Sequence, residues 1–174
     1  MFDLVEQAKW VQVQEPKDKT GAAATTEWVS MKNAAQCYFV IQTGAMTSTS
    51  NQAVTLYVAD DASGTHNKAI TSASAQVSLT MPYVWKRTAS TDTLVKTTVA
   101  SSTFNLTKSS DNRTFIIPVD ASKMGTFVAS SVTYNADYVR VNVATPGAHA
   151  CLMSVYAILT GLRYQEDSPP TAIT

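Results

Sequence analysis

Residues 136–164 restrict the fold of this chain more than any other part of it. Across residues 138–143, valines alternate with polar and charged residues, which is the period of a strand buried on one face. Pro146 and Gly147 then predict a turn, and the apolar run 150–162 follows. This run has about 13 residues, whereas a helix needs about 20 to cross a membrane. It therefore predicts a strand that is apolar on both faces and covered on both sides within a sheet.

The composition favours β structure and a surface suited to association. Charged residues make up 15% of the chain, against about 25% in typical domains, so Ser, Thr, Asn and Gln must form much of the surface. Abundant Val and Thr favour strands. The 13 basic and 13 acidic residues give zero net charge and form no basic block, so no nucleic-acid binding is expected. A neutral surface also favours self-association, and we expect a homo-oligomer, either a trimer or a dimer.

Strand patterns recur from residue 27 to residue 164, separated by turn-forming residues. A hairpin is predicted between residues 82–85 and 94–99, and Pro118 is predicted near a sheet edge or a strand end. About eight to ten short strands and almost no helix indicate an all-β protein, an antiparallel β-sandwich of the jelly-roll type. The predicted core residues on these strands are Val54, Leu56, Val58, Val139, Val141, Val143, Leu152, Val155 and Ile158.

The two ends of the chain are predicted to be extensions of one domain. A single β-sandwich domain over residues 27–164 suits a chain of 174 residues. Residues 1–26 are predicted to form an N-terminal arm, with a short helix over residues 2–9 and an extended linker over residues 15–26. Residues 165–174 contain paired prolines and predict an extended C-terminal tail. The N-terminus lacks the basic and apolar regions of a secretory signal, so export by that route is not expected.

Cys37 and Cys151 are the only cysteines in the sequence, and each lies in an apolar strand pattern. We predict two buried free thiols that act as small apolar side chains. A disulfide remains an alternative if the two strands are neighbours. Because no further Cys or His stands at ligand spacing, no zinc site is expected.

The sequence contains no motif that is specific for catalysis or for a cofactor. His66 and His149 lie in turn-rich loops, and the G-x-S-x-G elbow of hydrolases is absent. Asp60 and Asp61 could bind a metal with His66 if the loop folded back, but the spacing is not that of a calcium loop, and we predict a turn. Acids at strand ends are typical of local hydrogen bonding. We therefore expect no catalytic residue, no metal, no cofactor and no enzyme activity.

Three segments resemble small virion proteins encoded beside the major capsid protein of tailed bacteriophages. They are residues 28–34 (WVSMKNA), residues 54–70 (VTLYVADDASGTHNKAI) and residues 136–164, which include ADYVRV and LTGLRY. The resemblance implies a capsid decoration, or cement, protein: a β-sandwich on the outside of the head that ties neighbouring capsomers together. It also implies the major capsid protein as a partner, the capsid exterior as the location and the host cytoplasm as the place of synthesis.

A cement protein needs a rigid body, a neutral surface of short polar side chains and extensions that add contact area. The two ends of the chain could supply such extensions. The residues predicted to contact a capsid subunit or a sister copy are Phe2, Leu4, Val5, Trp10, Val11 and Tyr164.

Two alternatives come from other classes of protein. A tail or fibre module that binds host surface glycans would use exposed aromatic residues near Asp or Asn. A small polysaccharide hydrolase would need paired acids in a cleft. The candidates for sugar stacking, which are otherwise expected in the core or in subunit contacts, are Trp10, Trp28, Tyr83, Trp85 and Tyr164.

Overall fold

The computed structural model describes residues 8–47, 51–70, 77, 79–87, 93–100, 102–107, 110–147 and 149–162. These residues form strands joined by turns, with a 3₁₀ turn at Ala121–Lys123. In chain order the strands are Ala8–Asp18 (β1), Ala24–Thr25 (β2), Val29–Ser30 (β3), Gln36–Met46 (β4), Gln52–Ala59 (β5), Asn67–Ala69 (β6), Tyr83–Arg87 (β7), Leu94–Thr98 (β8), Thr103–Leu106 (β9), Thr114–Asp120 (β10), Thr126–Ala129 (β11), Val132–Asn135 (β12), Tyr138–Val143 (β13) and Cys151–Thr160 (β14).

Two antiparallel sheets pack against each other and form a β-sandwich. The long sheet has six strands in the order β1-β14-β4-β10-β7-β8. The short sheet has β13 and β5 at its centre, with β2 and β3 beside β13 and with β6 and β9 beside β5. The strands β11 and β12 form a separate hairpin. The prediction of an all-β antiparallel sandwich is confirmed.

The strand pairs are nested like those of one long hairpin that has been rolled up. The first strand, β1, pairs with the last strand, β14, and β2 and β3 pair with β13. Further inside, β4 pairs with β10 and β5 pairs with β9. Successive pairs belong alternately to the long and the short sheet, which is the connectivity of a jelly roll. The β7–β8 hairpin extends the long sheet at one edge.

The core lies between the two sheets and follows the alternation of the strands. Inward residues of β5 and β13 are buried, while most of their neighbours are partly exposed. The long sheet contributes inward residues such as Phe39, Ile41 and Ile117 to the same cluster. Seven of the nine predicted core residues are buried: Val54, Leu56, Val58, Val139, Val141, Val143 and Val155.

The predicted core positions Leu152 and Ile158 of β14 are wrong. The inward positions of β14 are the odd-numbered ones, from Cys151 to Leu159, so Leu152 and Ile158 point outward. Leu152 is 44% exposed, and Ile158 is partly exposed. Because this strand is apolar on both faces, its sequence has no alternation that separates the inward from the outward residues.

Much of the segment predicted as an arm belongs to the sandwich. Ala8 and Lys9, predicted to end a helix, are part of β1, because their backbone pairs with the end of β14. The predicted linker begins within β1 and contains β2. Pro16 is tolerated there because β1 is an edge strand with an irregular register. The rest of the predicted helix, residues 2–7, and the predicted tail, residues 165–174, lie outside the described residues.

Two local predictions are confirmed, and the 3₁₀ turn has a defined cap. The strands β7 and β8 form the predicted hairpin. Pro118 lies toward the end of β10, beyond the part of that strand that pairs with β7, so its missing N–H group is tolerated. Asp120 caps the 3₁₀ turn by accepting a hydrogen bond from Ser122 N at 2.9 Å. Gly125 ends this turn with a φ of 57°.

Candidate functional site

The outer face of the long sheet carries two rows of neighbouring side chains, many of them apolar or aromatic. The register of the strands determines these neighbours, because directly paired residues point to the same face. The first row crosses all six strands, and the second row crosses β1, β14, β4 and β10. In order across the sheet, the first row is Gln12, Tyr156, Val40, Ile116, Trp85 and Lys96, and the second row is Trp10, Ile158, Tyr38 and Pro118.

The two rows carry little charge, and no other described strand covers this face. By the same alternation Arg87 and Asp120, the last residues of β7 and β10, also point to it. Lys96 is the one charged side chain in the two rows, and it lies on the edge strand β8. The β11–β12 hairpin contacts β6 of the short sheet instead. Trp10 is 52% exposed, and Val40 and Ile116 at the centre of the first row are partly exposed. The described residues therefore cover the inner side of the long sheet and leave the outer side open.

The outer face of the short sheet is charged by contrast. Arg140 lies between two aromatic rings, 4.2 Å from the Trp28 ring and 5.3 Å from the Tyr57 ring, which is a cation–π arrangement. Burial lowers the pKa of the Arg140 guanidinium, although the group stays protonated at neutral pH. Next to the start of β13, Lys32 Nζ lies 3.4 Å from Asp137 Oδ2. Such exposed charge pairs are typical of a solvated face.

The turn between β5 and β6 brings together Asp60, Asp61 and His66. Their ligand atoms lie within 4.8 Å of one another, and within the described part of the chain they are the one such group that could hold a metal ion. His66 Nδ1 lies 3.0 Å from Asp60 Oδ2. Asp61 Oδ1 accepts hydrogen bonds from Gly64 N at 2.6 Å and from Ser63 Oγ at 2.8 Å. These bonds, the one from the Ser63 hydroxyl first, lower the pKa of Asp61 and close the predicted turn.

His66 also joins this turn to the β11–β12 hairpin. Its ring stacks on the Tyr134 ring, with the centroids 4.2 Å apart and the planes at 15°. The Tyr134 ring lies 5.7 Å from the ring of Phe127, which is fully buried. This packing gives His66 a structural role, because the ring connects an exposed turn to the hydrophobic core.

Three described carboxylates have shifted pKa values, and all three shifts are opposite to those of a general acid. Hydrogen bonding lowers the pKa of Asp18 through the backbone N–H of Cys151, and it lowers the pKa of Asp120 through the hydroxyl of Ser122. Asp61 is the third. A glycosidase acid instead requires a raised pKa in a desolvated pocket. These aspartates therefore serve as hydrogen-bond acceptors: Asp61 and Asp120 organise local turns, and Asp18 joins the end of β1 to the start of β14.

Two surface grooves lie beside β1. One has a volume of about 260 Å³ and is lined in part by Pro16, Gly44 and Leu152. The other has a volume of about 270 Å³ and contains Glu15 and Glu27, both of which are exposed. The carboxylate pair of a glycosidase flanks the scissile bond inside a cleft, whereas these two side chains face solvent.

Cys37 and Cys151 are free and fully buried, which confirms the prediction. Their strands, β4 and β14, are neighbours, but Cys37 lies opposite Leu159 and Cys151 lies opposite Met46. At about 3.3 Å per residue the thiols are about 30 Å apart, too far for a disulfide. Burial raises the pKa of both thiols, so both are poor nucleophiles.

The structure describes two of the six residues predicted to contact a partner. Trp10 is exposed on the outer face of the long sheet. Val11 is buried and points into the core, so its predicted contact with a partner is wrong. This difference follows from the alternation of β1, since adjacent residues of a strand point to opposite faces. The other four residues lie outside the described part of the chain: Phe2, Leu4, Val5 and Tyr164.

The sequence pattern did not identify Val40, Ile116 and Tyr156 as surface residues. A signal exists for Val40 and Tyr156, because the runs 37–41 and 151–159 are mostly apolar on both faces. Such runs indicate strands that are covered on both sides. The order of the sheets shows that described strands cover the inner side alone.

No protein-family model matches the chain, and no curated protein matches it. Among the described residues, no helix has the length and hydropathy that crossing a membrane requires.

Proposed function

We propose that this protein is a structural component of a phage virion, which binds the outside of the capsid and cements neighbouring capsomers. The observation that carries this proposal is the outer face of the long sheet, which no other described strand covers and whose two central rows are mostly apolar or aromatic. Large apolar surfaces mark contacts with other protein chains, here a capsid subunit or a sister copy. The capsid as partner comes from the resemblance of residues 28–34, 54–70 and 136–164 to small virion proteins. In this role the chain acts as a homo-oligomer and needs no catalysis, metal or cofactor.

The jelly-roll body is compatible with this role. Jelly rolls form viral capsid domains as well as lectin domains, so the fold supports the proposal without assigning the function. The surface has few charges, as 15% of the residues are charged. Short polar side chains lose little conformational entropy when a partner covers them. A surface of such side chains therefore suits a protein that other proteins contact on several sides.

The proposal is tested by locating the protein on purified phage particles. We expect mass spectrometry to find it in a constant ratio to the major capsid protein, and electron cryo-microscopy to place it between capsomers on the outer surface. Particles that lack the protein provide the difference map. Absence from purified heads, or density on the tail alone, would contradict the proposal.

The temperature at which heads release their DNA measures the strength of the cementing effect. Heads that lack the protein are expected to release their DNA at a lower temperature than complete heads, because fewer contacts hold neighbouring capsomers together. Adding the purified chain back should restore the higher temperature. An unrelated β-sandwich protein is the control, and equal release temperatures with and without this chain would contradict a cementing role.

Tyr83 and Trp85 favour one second candidate function, the binding of host surface glycans. Both rings are partly exposed on β7 and meet edge to face, with centroids 6.3 Å apart. Lys96 Nζ lies 3.9 Å from the centroid of the Tyr83 ring. Exposed aromatic rings beside polar groups can stack on sugars. Binding to bacterial surface polysaccharide that Trp85→Ala abolishes would support this candidate, and an absence of binding would exclude it.

A further inference from the structure

We propose that the outer face of the long sheet is the contact between two copies of this chain, which pack face to face around a two-fold axis. The proposal concerns the purified chain alone and does not depend on binding to a capsid; a dimer formed through this face would contact a capsid through its other surfaces. It goes beyond the expectation of an oligomer, because it names the surface, the symmetry and the number of copies.

The two central strands β14 and β4 carry apolar residues on both faces. Their inward residues, such as Phe39 and Val155, are fully buried in the core. Their outward residues include Val40, Tyr156 and Ile158, which are partly exposed. Strands that are apolar on both sides occur where both sides are covered. No described strand of the same chain provides the second cover, and a second copy of the chain would provide one.

The outer face of the long sheet has the area of a stable interface. Six strands at a spacing of about 4.8 Å, with about seven residues each at about 3.3 Å, cover roughly 650 Å² per copy. Two copies would therefore bury roughly 1,300 Å², which lies within the range of about 1,200–2,000 Å² for stable interfaces. The two rows also contain Trp10, Trp85, Tyr38 and Tyr156, and Trp and Tyr contribute most to binding energy at interfaces.

The outer face of the long sheet can pack against the same face of a second copy without bringing like charges together at the axis. Near a two-fold axis each residue meets its counterpart, so a charged residue there would meet a like charge. Val40 and Ile116 lie next to each other at the centre of the first row. The charged residues on this face lie away from that centre, Lys96 on the edge strand and Arg87 and Asp120 at the ends of β7 and β10. The outer face of the short sheet carries Arg140 on its central strand β13, and pairing that face with itself would bring like charges together. The occupant that suits the long sheet is therefore a second copy.

Sedimentation velocity at micromolar concentrations tests the proposal. The wild-type chain is expected to sediment with twice the mass of the 18.7 kDa monomer. Val40→Glu places a charge at the centre of the face, and we expect it to weaken the dimer at least about 100-fold, because a buried unpaired carboxylate is costly. Thr55→Glu is the matched control, since Thr55 is a partly exposed residue in the middle of β5, on the short sheet. This control should remain dimeric.

The outcomes are decisive in both directions. A monomeric or trimeric wild-type chain overturns the proposal, and so does a Val40→Glu chain that is folded and still dimeric. If Val40→Glu fails to fold, hydroxyl-radical labelling of the wild-type chain replaces it. Labelling of Tyr38 and Tyr156 should decrease as the concentration rises, while labelling of Tyr57 on the short sheet stays constant. Equal labelling of the three residues at all concentrations overturns the proposal.

Discussion

At the scale of single residues, Gly64 connects the β5–β6 turn to the short sheet. Its φ is 66°, a left-handed conformation that other residues rarely adopt. A Cβ atom added at this position would lie 2.3 Å from Trp28 Nε1. The absence of a side chain therefore lets Trp28 lie against the turn, where the same indole also contacts Arg140.

Gly64→Ala is expected to lower the free energy of unfolding by about 2–4 kcal/mol, because it adds both backbone strain and a clash with Trp28. Gly21→Ala is the matched control, since Gly21 has a φ of 74° but no atom within 4 Å of an added Cβ. We expect this control to cost about 1 kcal/mol. Urea unfolding followed by tryptophan fluorescence measures both values. Equal losses would show that Trp28 does not restrict the turn.

Asp18 links the end of β1 to the start of β14. Its Oδ1 accepts hydrogen bonds from Cys151 N at 3.1 Å and from Thr20 N at 3.0 Å. These bonds, the one from Cys151 first, hold the pKa of Asp18 below its ordinary value of 3.8. Since the folded state prefers the ionised form, the stabilisation is present above the ordinary pKa and is lost as the pH falls through the lowered folded-state pKa.

The contribution of Asp18 predicts how stability depends on pH. The wild-type protein should lose stability as the pH falls below about 4. Asp18→Asn keeps an acceptor oxygen but has no charge, so we expect it to be less stable at neutral pH and to lose less stability in acid. Glu15→Gln, a change in the exposed part of β1, is the control. Urea titrations at neutral and acidic pH measure the effect, and parallel pH profiles for wild type and Asp18→Asn would contradict it.

At the scale of elements, the alternation of apolar and polar residues identified the buried positions of a strand wherever only one of its faces is apolar. In β5 and β13 the period of two separates the inward from the outward positions, and all the predicted inward residues of these two strands are buried. In β14 both faces are apolar, so the same rule could not separate Leu152 from its inward neighbours. The prediction of a helix that includes Ala8 and Lys9 is wrong for another reason. A short segment has little helical stability of its own, and these two residues pair with β14 instead.

The register of β4 and β14 predicts the behaviour of the two thiols. Because Cys37 and Cys151 lie at opposite ends of this strand pair and both are fully buried, we expect no disulfide within the chain under oxidising conditions. Intact-mass measurement after treatment with a thiol reagent should show no labelling of the native protein. The same reagent should label both thiols in denaturant. Rapid labelling of the native chain would contradict the burial of these residues.

At the scale of the whole molecule, the nested pairing makes the first and last strands interdependent. Among the described strands, the edge strand β1 pairs with β14 alone, and β14 also pairs with β4. Loss of β14 would therefore separate β1 from the sheet and expose the edge of β4. Unpaired strand edges favour aggregation, so the body of the protein depends on its last strand.

A chain that ends at residue 147 is expected to be unfolded or aggregated, because it lacks β14. The control is a chain that ends at residue 162, which keeps every described strand. Circular dichroism and the dispersion of amide resonances distinguish the two. A cooperative thermal transition in the shorter chain would show that β1 and β4 do not require β14.

The amino-acid pattern was enough to show that the chain is all β, where most strands lie and which residues of β5 and β13 face the core. These features follow from local signals, namely alternation, β-branched residues and turn formers. The folded structure was needed to show that β1 pairs with β14, that the two cysteines lie far apart and that no described strand covers the outer side of the long sheet. The physical reason is that strand pairing joins residues distant in the chain, and no local period encodes which partner or which side a strand receives.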